Sequence, residues 1–240
     1  MISLSCPSRG RPQLAKRMID TAYDTAAGDI EFLIYLNNDD PALEEYKDTI
    51  DKKHYTVGPN RSTCYSWNLM AEKARYDYVF LAGDDIQFKT QNWDTKMVDG
   101  FTNYPDKILM AIPYDGKDKN KPKNLLDAKE PTLIGDVPFS SPHFLVHKNW
   151  INTLGYFVPP FFWHWYVDTY TQKVSRKLNR CLYFPNVIIK AKKVFDDTGK
   201  QVRKHLDINF RDDYVWSKIR ERHLNADVDA LKKFIKDFKK

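Results

Sequence analysis

The chain has 240 residues, of which 42% are hydrophobic, 14% aromatic and 29% charged; this is the composition of a globular protein and excludes collagen-like, coiled-coil and disordered chains. No run of apolar residues approaches the ~18 that a membrane helix needs, and the first residues lack the layout of a signal peptide. The three cysteines, Cys6, Cys64 and Cys181, lie far apart without CxxC spacing, which argues against a disulfide framework or a thiolate metal site. We therefore expect a soluble, cytoplasmic protein without a membrane partner.

Positive charge is concentrated in the last third of the chain. The formal net charge is +6. Residues 1–172 hold 19 lysines and arginines against 23 acids, whereas residues 173–240 hold 19 against 9, a net +10. Between Lys173 and Lys193 there are seven cations and no acid. Such a patch either raises the local concentration of an anionic partner or is a solvated face that keeps the protein soluble.

Segments with strand and helix patterns alternate along the chain. Short apolar runs predict strands at Ile2–Cys6, Ile30–Leu36, Tyr78–Ala82, Ile108–Ile112, Phe144–His147 and Leu182–Ile189. Helical spacing predicts helices at Pro12–Ala26, Pro41–Ile50, Ser62–Ala74, Trp93–Tyr104, Trp165–Leu178 and Asn225–Phe238. Because parallel strands need crossover connections, this order predicts an α/β fold with a mostly parallel sheet flanked by helices. The polar, proline-broken stretch Asp115–Pro131 is predicted to be a mobile excursion or lid.

Three polar clusters follow predicted strands. Pro7-Ser8-Arg9-Gly10-Arg11 follows the first strand, Asn37-Asn38-Asp39-Asp40 the second, and Gly83-Asp84-Asp85 the third. Ligands of parallel sheets bind beyond the carboxyl ends of the strands, so we expect the clusters to converge on one rim. Adjacent carboxylates at such a position suit Mg²⁺ or Mn²⁺, which take oxygen ligands and bridge to substrate phosphates.

The two acidic pairs differ in whether a purely structural role, without a ligand, can explain them. Asp40 precedes Pro41, a common start of a helix, so we expect Asp40 to cap a helix and Asn37 or Asp39 to contact a ligand. No helix is predicted to begin at Asp84-Asp85. The cost of two neighbouring charges there is most simply offset by a bound cation.

The order of these motifs resembles the GT-A glycosyltransferases, particularly the small family-2-like members of bacteriophage and bacterial genomes. The matching segments are PSRGRP, IEFLIYLNNDDP, VGPNRSTCYSWNLMAEKARYDYVFLAGDDIQFKTQNWD and GYFVPPFFWHWYVDTY. Single motifs of this kind are common by chance, whereas their order and spacing are more specific. The resemblance implies a Rossmann-like GT-A domain over residues 1–190, with residues 191–240 as a basic helical extension. It implies transfer of a hexosyl or pentosyl group from a nucleotide-diphosphate sugar to a hydroxyl group.

The same resemblance implies where the donor and the metal bind. In this family the acidic pair after the second strand holds the nucleoside, a helix opening lies near the donor, and a DxD-type motif binds the metal that carries the diphosphate. The implied donor-binding residues are Pro7, Ser8, Arg9, Arg11, Asn37, Asp39, Asn60, Arg61 and Asp84. The arginines among them are suited to neutralise charge that develops on the leaving diphosphate. Asp85 is the implied ligand of Mn²⁺ or Mg²⁺.

The sequence leaves three possibilities for the other ligands of the metal. Relatives of this type often place a histidine after the last sheet strand, where this chain has Ile189-Lys190-Ala191-Lys192. Either Asp85 and water hold the metal, or His205 or Asp207 folds back to it, or a lysine replaces its charge.

A catalytic base is implied at Asp168. Inverting members of the family use a later carboxylate, and the matching segment here is HWYVDTY. Asp168 would take the proton of the attacking hydroxyl. His164, four residues earlier, would share its face and would orient it or be the base itself. The structural alternative for Asp168 is a solvated position on the predicted helix Trp165–Leu178.

Two kinds of acceptor fit the residues around that helix. Trp163 and Trp165 offer rings on which sugars or bases stack, although such aromatic runs are also common in cores. The cations Arg176, Lys177 and Arg180 suit a phosphate backbone. The acceptor is therefore either DNA, for example a hydroxymethylated pyrimidine of phage DNA turned out of the stack, or a free or lipid-linked saccharide. A nucleotidyltransferase and a non-catalytic DNA- or glycan-binding module are the alternative classes.

Overall fold

The computed structural model describes residues 1–116, 121, 123–135, 141–191 and 206–239, and for residue 206 the backbone alone. Its strands are β1 Ile2–Ser8, β2 Ile30–Asn37, β3 Tyr55–Gly58, β4 Tyr78–Leu81, β5 Ile86–Phe88, β6 Met110–Tyr114, β7 Thr132–Leu133, β8 Phe144–His147 and β9 Cys181–Ala191. Its helices are α1 Pro12–Thr25, α2 Leu43–Thr49, α3 Thr63–Glu72, α4 Trp93–Asp99, α5 Lys123–Leu126, α6 Lys148–Leu154, α7 Val167–Lys177, α8 Leu206–Lys218 and α9 Arg220–Phe238, with a 3₁₀ turn at Lys52–His54.

The strands form one mixed sheet in the order β3-β2-β1-β4-β8-β6-β9-β5, with β7 paired to β9. Strands β1 to β4 pair in parallel, as predicted. Strand β8 then lies antiparallel to both β4 and β6, and β9 is parallel to β6 but antiparallel to β5 and β7. The expectation of a mostly parallel sheet is therefore correct for one half only. An apolar run indicates that a strand is buried, but it carries no information on the direction of its neighbour.

Helix α1 shows why the sequence forms these elements where it does. Pro12 stands at its first position, where the missing N–H leaves no hydrogen bond unmade. Ala15, Met18, Ile19 and Ala22 are buried on one face, so the predicted amphipathic helix is confirmed.

Two apolar clusters cover opposite faces of the sheet. Alternation in β4 separates them: Phe80 packs in one cluster, while Val79 and Leu81 pack in the other. Helices α1, α2 and α4 contribute to the first cluster, and α3, α6, α7, α8 and α9 to the second. The helices after β9 are thus part of the core of the second face, through Leu224, Val228 and Leu231.

The stretch predicted as a lid is anchored in the part that the structure describes. Residues 117–120 and 122 lie outside the described residues. The fully enclosed Lys121 Nζ lies 2.9 Å from Asp115 Oδ1 and 4.0 Å from the centroid of the Tyr114 ring. Leu125 of α5 is also buried. Because a buried ion pair is costly to break, these described positions are held against the sheet, and the mobility predicted for the whole stretch stays a prediction.

A helix able to cross a bilayer is not found in the described parts of the chain.

Candidate functional site

The predicted polar clusters meet at the carboxyl edge of β1 to β4. Arg9 after β1 forms an ion pair with Asp39 after β2. Asn60, which follows β3, donates from Nδ2 to Asp39 Oδ2 at 3.0 Å. Asp39 stays half exposed, and the Asn60 hydrogen bond, followed by Arg9, lowers the pKa of its carboxyl group. The expected convergence on one rim is confirmed, and the rim carries an ionised carboxylate open to solvent.

Asp40 has a structural role, but it is not the helix cap that was predicted, because α2 begins at Leu43 and not at Pro41. Its Oδ1 accepts from the Ala42 N–H at 2.9 Å, and its Oδ2 accepts from the Gly10 N–H at 2.8 Å. Asp40 thus closes the turn before α2, whose N-cap is Ala42 without a side-chain hydrogen bond, and ties this turn to the loop after β1. Its neighbour Asp39 is half exposed and binds Arg9 and Asn60 at the rim.

Asp84 is the centre of a buried network. Arg11 Nη1 lies 3.1 Å from its Oδ1, and Ser8 donates to its Oδ2 at 2.7 Å. Tyr46 OH lies 2.6 Å from Ser8 Oγ and accepts from the Arg11 N–H at 2.9 Å. Burial raises the pKa of Asp84 to about 6, against the opposing influence of Arg11 and Ser8. The structure therefore places Ser8, Arg11 and Asp84 beneath the rim, where they fix its shape.

Asp85 is the member of that pair that lies nearer the surface. It is partly exposed in the turn between β4 and β5. A Cβ atom added to Gly83 would meet Asp85 Oδ1 at 3.0 Å and Cε1 of the buried His143 at 3.5 Å, so glycine leaves room for both side chains beside the backbone here.

A divalent metal fits this position as an ion shared with a diphosphate. The described residues contain no group of three or more His, Cys, Asp or Glu side chains placed to hold a metal by themselves. Mg²⁺ and Mn²⁺ are commonly bound through one or two carboxylates together with substrate phosphates, which is a role open to Asp85. His205, considered as a further ligand, lies outside the described residues, and Asp207 is exposed in the first turn of α8.

The start of α3 connects the rim to the segment before α7. Ser62 caps α3 by accepting from the Tyr65 N–H at 3.0 Å, and Arg61 lies over the Tyr65 ring. Next to them Thr63 Oγ1 is 2.8 Å from His164 Nδ1. Burial lowers the pKa of His164, which favours the neutral imidazole.

His164 lies before α7 and not on it. The helix predicted from Trp165 begins at Val167, after Tyr166 in the left-handed conformation at φ 67°. The interpretation of His164 as a residue one turn before Asp168 on the same helix is therefore wrong. The segment before Val167 is instead an irregular turn, in which His164 Nδ1 faces Thr63.

Asp168 lies in the first turn of α7, at a cleft of about 460 Å³. This α7–α8 cleft is lined by Trp165, Tyr166, Asp168, Thr169, Asn209 and Asp213. Burial raises the pKa of the Asp168 carboxyl group, while Thr169 donates to it at 3.4 Å. A carboxylate of raised basicity beside aromatic and hydrogen-bonding groups has the properties of a general base for a hydroxyl substrate.

The cations predicted to contact an acceptor occupy different environments. Arg180 makes a bidentate ion pair with the buried Asp106, at 3.1 and 3.2 Å, and Arg176 donates to Gln172 Oε1 at 3.1 Å. Lys177 is exposed. It lines a second depression of about 350 Å³, the basic cleft, whose lining is Lys177, Leu178, Arg180, Lys232, Ile235, Lys236 and Lys239.

Sequence analysis missed the contribution of α8 to the site. Asn209 and Asp213 line the α7–α8 cleft, and the buried Asp212 binds the turn that leads into α7. The Asp212-Asp213 pair is visible in the sequence. It follows no predicted strand, however, and nothing in the sequence around Asp168 indicates a contact with residues about 40 positions later.

Comparisons with known proteins were made by family, by sequence and by structure. No protein-family model matches the chain, and no curated protein matches its sequence. The mannosyltransferase PcManGT from Pyrobaculum calidifontis, solved in complex with GDP-Man and Mn²⁺, matches with a TM-score of 0.63 at 12% identity, over 97% of this chain and 74% of its own.

A second group of matches is TarS from S. aureus. Residues 1–349 in complex with UDP-GlcNAc match with a TM-score of 0.61 at 12% identity, over 82% of this chain but only 59% of TarS 1–349. The complex with UDP matches with a TM-score of 0.58 at 11% identity, over 92% of this chain and 73% of that one. At these identities the likeness concerns the fold, which is shared with GT-A-type glycosyltransferases.

Proposed function

We propose that this chain, which has the fold of GT-A-type glycosyltransferases, transfers a hexosyl or pentosyl group from a nucleotide-diphosphate sugar to a hydroxyl acceptor. One observation carries the proposal: the rim at the carboxyl ends of β1 to β3 is joined, through the start of α3, to the turn that presents Asp168. Thr63 and His164 make that connection at 2.8 Å. In this proposal the donor binds at the rim and the base acts from the other side of this contact.

The rim supplies groups that suit a nucleoside diphosphate. The exposed Asp39 carboxylate, kept ionised by Asn60 and Arg9, accepts hydrogen bonds from ribose hydroxyls. Arg9 and Arg61 are the more exposed cations there, and Asn37 and Pro7 are partly exposed at the strand ends. In this proposal Ser8, Arg11 and Asp84 act from beneath, by fixing the loop that carries Arg9.

A divalent cation, Mn²⁺ or Mg²⁺, would be held by Asp85 together with the donor diphosphate. When bound, it supplies positive charge at the leaving group. PcManGT was solved with Mn²⁺ and GDP-Man. In this proposal the protein places the Asp85 carboxylate at the rim, while the neighbouring Asp84 stays paired with Arg11.

Asp168 accepts the proton in the proposed reaction. The acceptor oxygen forms a bond to the anomeric carbon, the bond from that carbon to the diphosphate breaks with its electron pair on the diphosphate, and the hydroxyl proton moves to Asp168. The raised pKa makes Asp168 a stronger base than an exposed carboxylate. Trp165, a lining residue of the α7–α8 cleft, offers a ring on which an acceptor can stack.

A saccharide acceptor is favoured by the lining of the α7–α8 cleft. Aromatic rings, an amide, a hydroxyl and the carboxylates Asp168 and Asp213 line it. Such groups stack on and hydrogen-bond to a hydroxyl-rich ligand, and the two carboxylates would repel a phosphate backbone placed against them.

DNA is the second candidate acceptor, and the basic cleft favours it. Four lysines line this cleft, at the end of α7 opposite to Asp168. Nine residues separate Asp168 from Lys177, which is about 14 Å along a helix. A duplex whose backbone lies on these lysines could present an extruded base, such as a hydroxymethylated pyrimidine of phage DNA, to Asp168.

Release of nucleoside diphosphate tests the enzyme proposal. The purified protein with Mn²⁺ is incubated with UDP- and GDP-sugars and with a panel of saccharides and hydroxymethylated DNA. We expect one donor to be consumed, and Asp168→Asn to lower the rate at least 100-fold.

Glu44→Gln, an exposed change on α2, is the control and should retain the rate. Equal rates for both variants would contradict the assignment of the base, and binding without consumption of any donor would favour a binding module. Release of pyrophosphate would favour a nucleotidyltransferase.

Charge reversal tests the DNA acceptor separately. Lys232→Glu combined with Lys236→Glu should weaken binding of hydroxymethylated duplex DNA at least tenfold and reduce its salt dependence. Lys52→Glu combined with Lys53→Glu, in the exposed turn before β3, is the matched control. Unchanged DNA binding by the first pair would leave the saccharide as the acceptor.

A further inference from the structure

Helix α8 holds the turn that leads into α7 by contacts to consecutive residues. Asp212, which is fully buried, accepts three backbone N–H groups: Trp163 N at 2.7 Å on Oδ1, and His164 N at 2.9 Å and Trp165 N at 2.8 Å on Oδ2. Asn209 Oδ1 accepts from Trp165 Nε1 at 2.5 Å. A single carboxylate thus satisfies the N–H groups of an irregular segment that has no strand or helix of its own.

The next residue explains why this segment needs to be held. Tyr166 has φ 67°, in the left-handed region that residues other than glycine rarely adopt. Its hydroxyl donates to Asp213, and its ring stacks on Trp216 with centroids 4.7 Å apart and planes at 13°. Both partners belong to α8, so the same helix holds the strained residue and the turn before it.

We propose that Asp212 is a positioning residue for the transfer reaction. By holding the turn Trp163–Tyr166, it fixes the orientation of the Asp168 carboxylate. Asp168 stands two residues after Tyr166, so rotation of the turn would move its carboxylate relative to the acceptor. His164, whose backbone Asp212 binds, links the same turn to α3 and the donor rim. This inference rests on the proposed transferase function, and it makes α8 part of the reaction site.

Asp212→Asn is the direct test, because it keeps the size of the side chain but replaces one acceptor oxygen with a donor. We expect kcat to fall at least tenfold, the KM for the nucleotide sugar to stay within twofold, and the amides of residues 163–165 to exchange hydrogen faster. Asp227→Asn is the matched control: Asp227 on α9 accepts from Tyr170 OH at 2.7 Å and from Tyr156, but it does not contact the turn. It tests the attachment of the C-terminal helices alone.

The control separates positioning from general stabilisation. If Asp212→Asn lowers kcat no more than Asp227→Asn at equal loss of melting temperature, or if exchange at residues 163–165 is unchanged, the proposal is overturned. Should Asp212→Asn fail to fold, Trp216→Leu removes the stacking partner of Tyr166 and is expected to lower kcat in the same way. If the wild-type protein consumes no donor, the transferase proposal fails, and with it the role in transfer; amide exchange then still reports whether Asp212 holds the turn.

Discussion

Arg11 Nη1 lies 3.1 Å from Asp84 Oδ1, and both side chains are largely enclosed, at 16% and 7% exposure. Because of this ion pair, the two adjacent carboxylates Asp84 and Asp85 have different environments. Asp84 is bound from two sides by Arg11 and Ser8, whereas Asp85 remains partly exposed at the rim. The acidic pair in the sequence therefore contains one residue that supports the site and one that can meet a ligand.

Removing Arg11 should destabilise the protein more than an ordinary surface change. Arg11→Met leaves the buried Asp84 without its cation, and we expect unfolding in urea to show a loss of about 3 kcal/mol. The double variant Arg11→Met with Asp84→Asn removes the unpaired charge as well and should recover part of that loss. A single variant as stable as the wild type would show that the ion pair contributes nothing to the rim.

Asp39 should determine how tightly the nucleoside binds. Asp39→Asn removes the ionised acceptor at the rim but leaves the backbone in place, so affinity for the nucleoside diphosphate is expected to fall about tenfold. Titration calorimetry against Glu44→Gln measures this difference. Equal affinities for the two variants would remove Asp39 from the donor site.

The pH dependence of the rate should identify Asp168. Burial raises its pKa, and only the deprotonated form accepts a proton, so the rate falls as the pH is lowered and the midpoint lies above the ordinary carboxyl value of ~4. His164→Asn should lower the rate yet keep this midpoint. A midpoint that disappears in the His164 variant would assign the titration to the imidazole.

Gly58 should tolerate no side chain. A Cβ atom at this end of β3 would lie 2.3 Å from the hydroxyl oxygen of Tyr35, which donates to the Pro59 carbonyl at 2.8 Å. Gly58→Ala is expected to cost about 2 kcal/mol of unfolding free energy, as overpacking does. Gly135→Ala, where an added Cβ meets no atom within 4 Å, is the comparison and should be close to neutral. Equal stabilities in a thermal melt would refute the close contact.

Local patterns made half of this fold predictable. Pro12 and the spacing of Met18 and Ala22 define α1, and the strand ends put Arg9 near Asp39 because parallel strands share one edge. The antiparallel insertion of β8 was not predictable, since the apolar run Phe144–His147 indicates a buried strand but not the direction in which it pairs with β4.

The role of α8 is a similar case. Asp212 matters because a turn 47 to 49 residues earlier presents three unpaired N–H groups to it, and nothing in the local sequence shows this. Arg180 was expected to meet an acceptor, but its partner Asp106 comes from a distant loop. The sequence shows which side chains are charged, whereas tertiary contacts decide whether a charged side chain is available to bind a ligand.

Nucleotide binding tests the central claim most directly. The melting temperature of the wild type and of Asp85→Asn is measured with uridine, guanosine, adenosine, cytidine and thymidine diphosphates, each with and without Mn²⁺. A nucleotide at ~100 times its Kd stabilises the folded state by ~2.7 kcal/mol, which is readily detected. The account predicts a Mn²⁺-dependent increase for one nucleotide, and loss of the metal-dependent part in Asp85→Asn. No increase with any of the five nucleotides, in a protein that melts cooperatively, would contradict it.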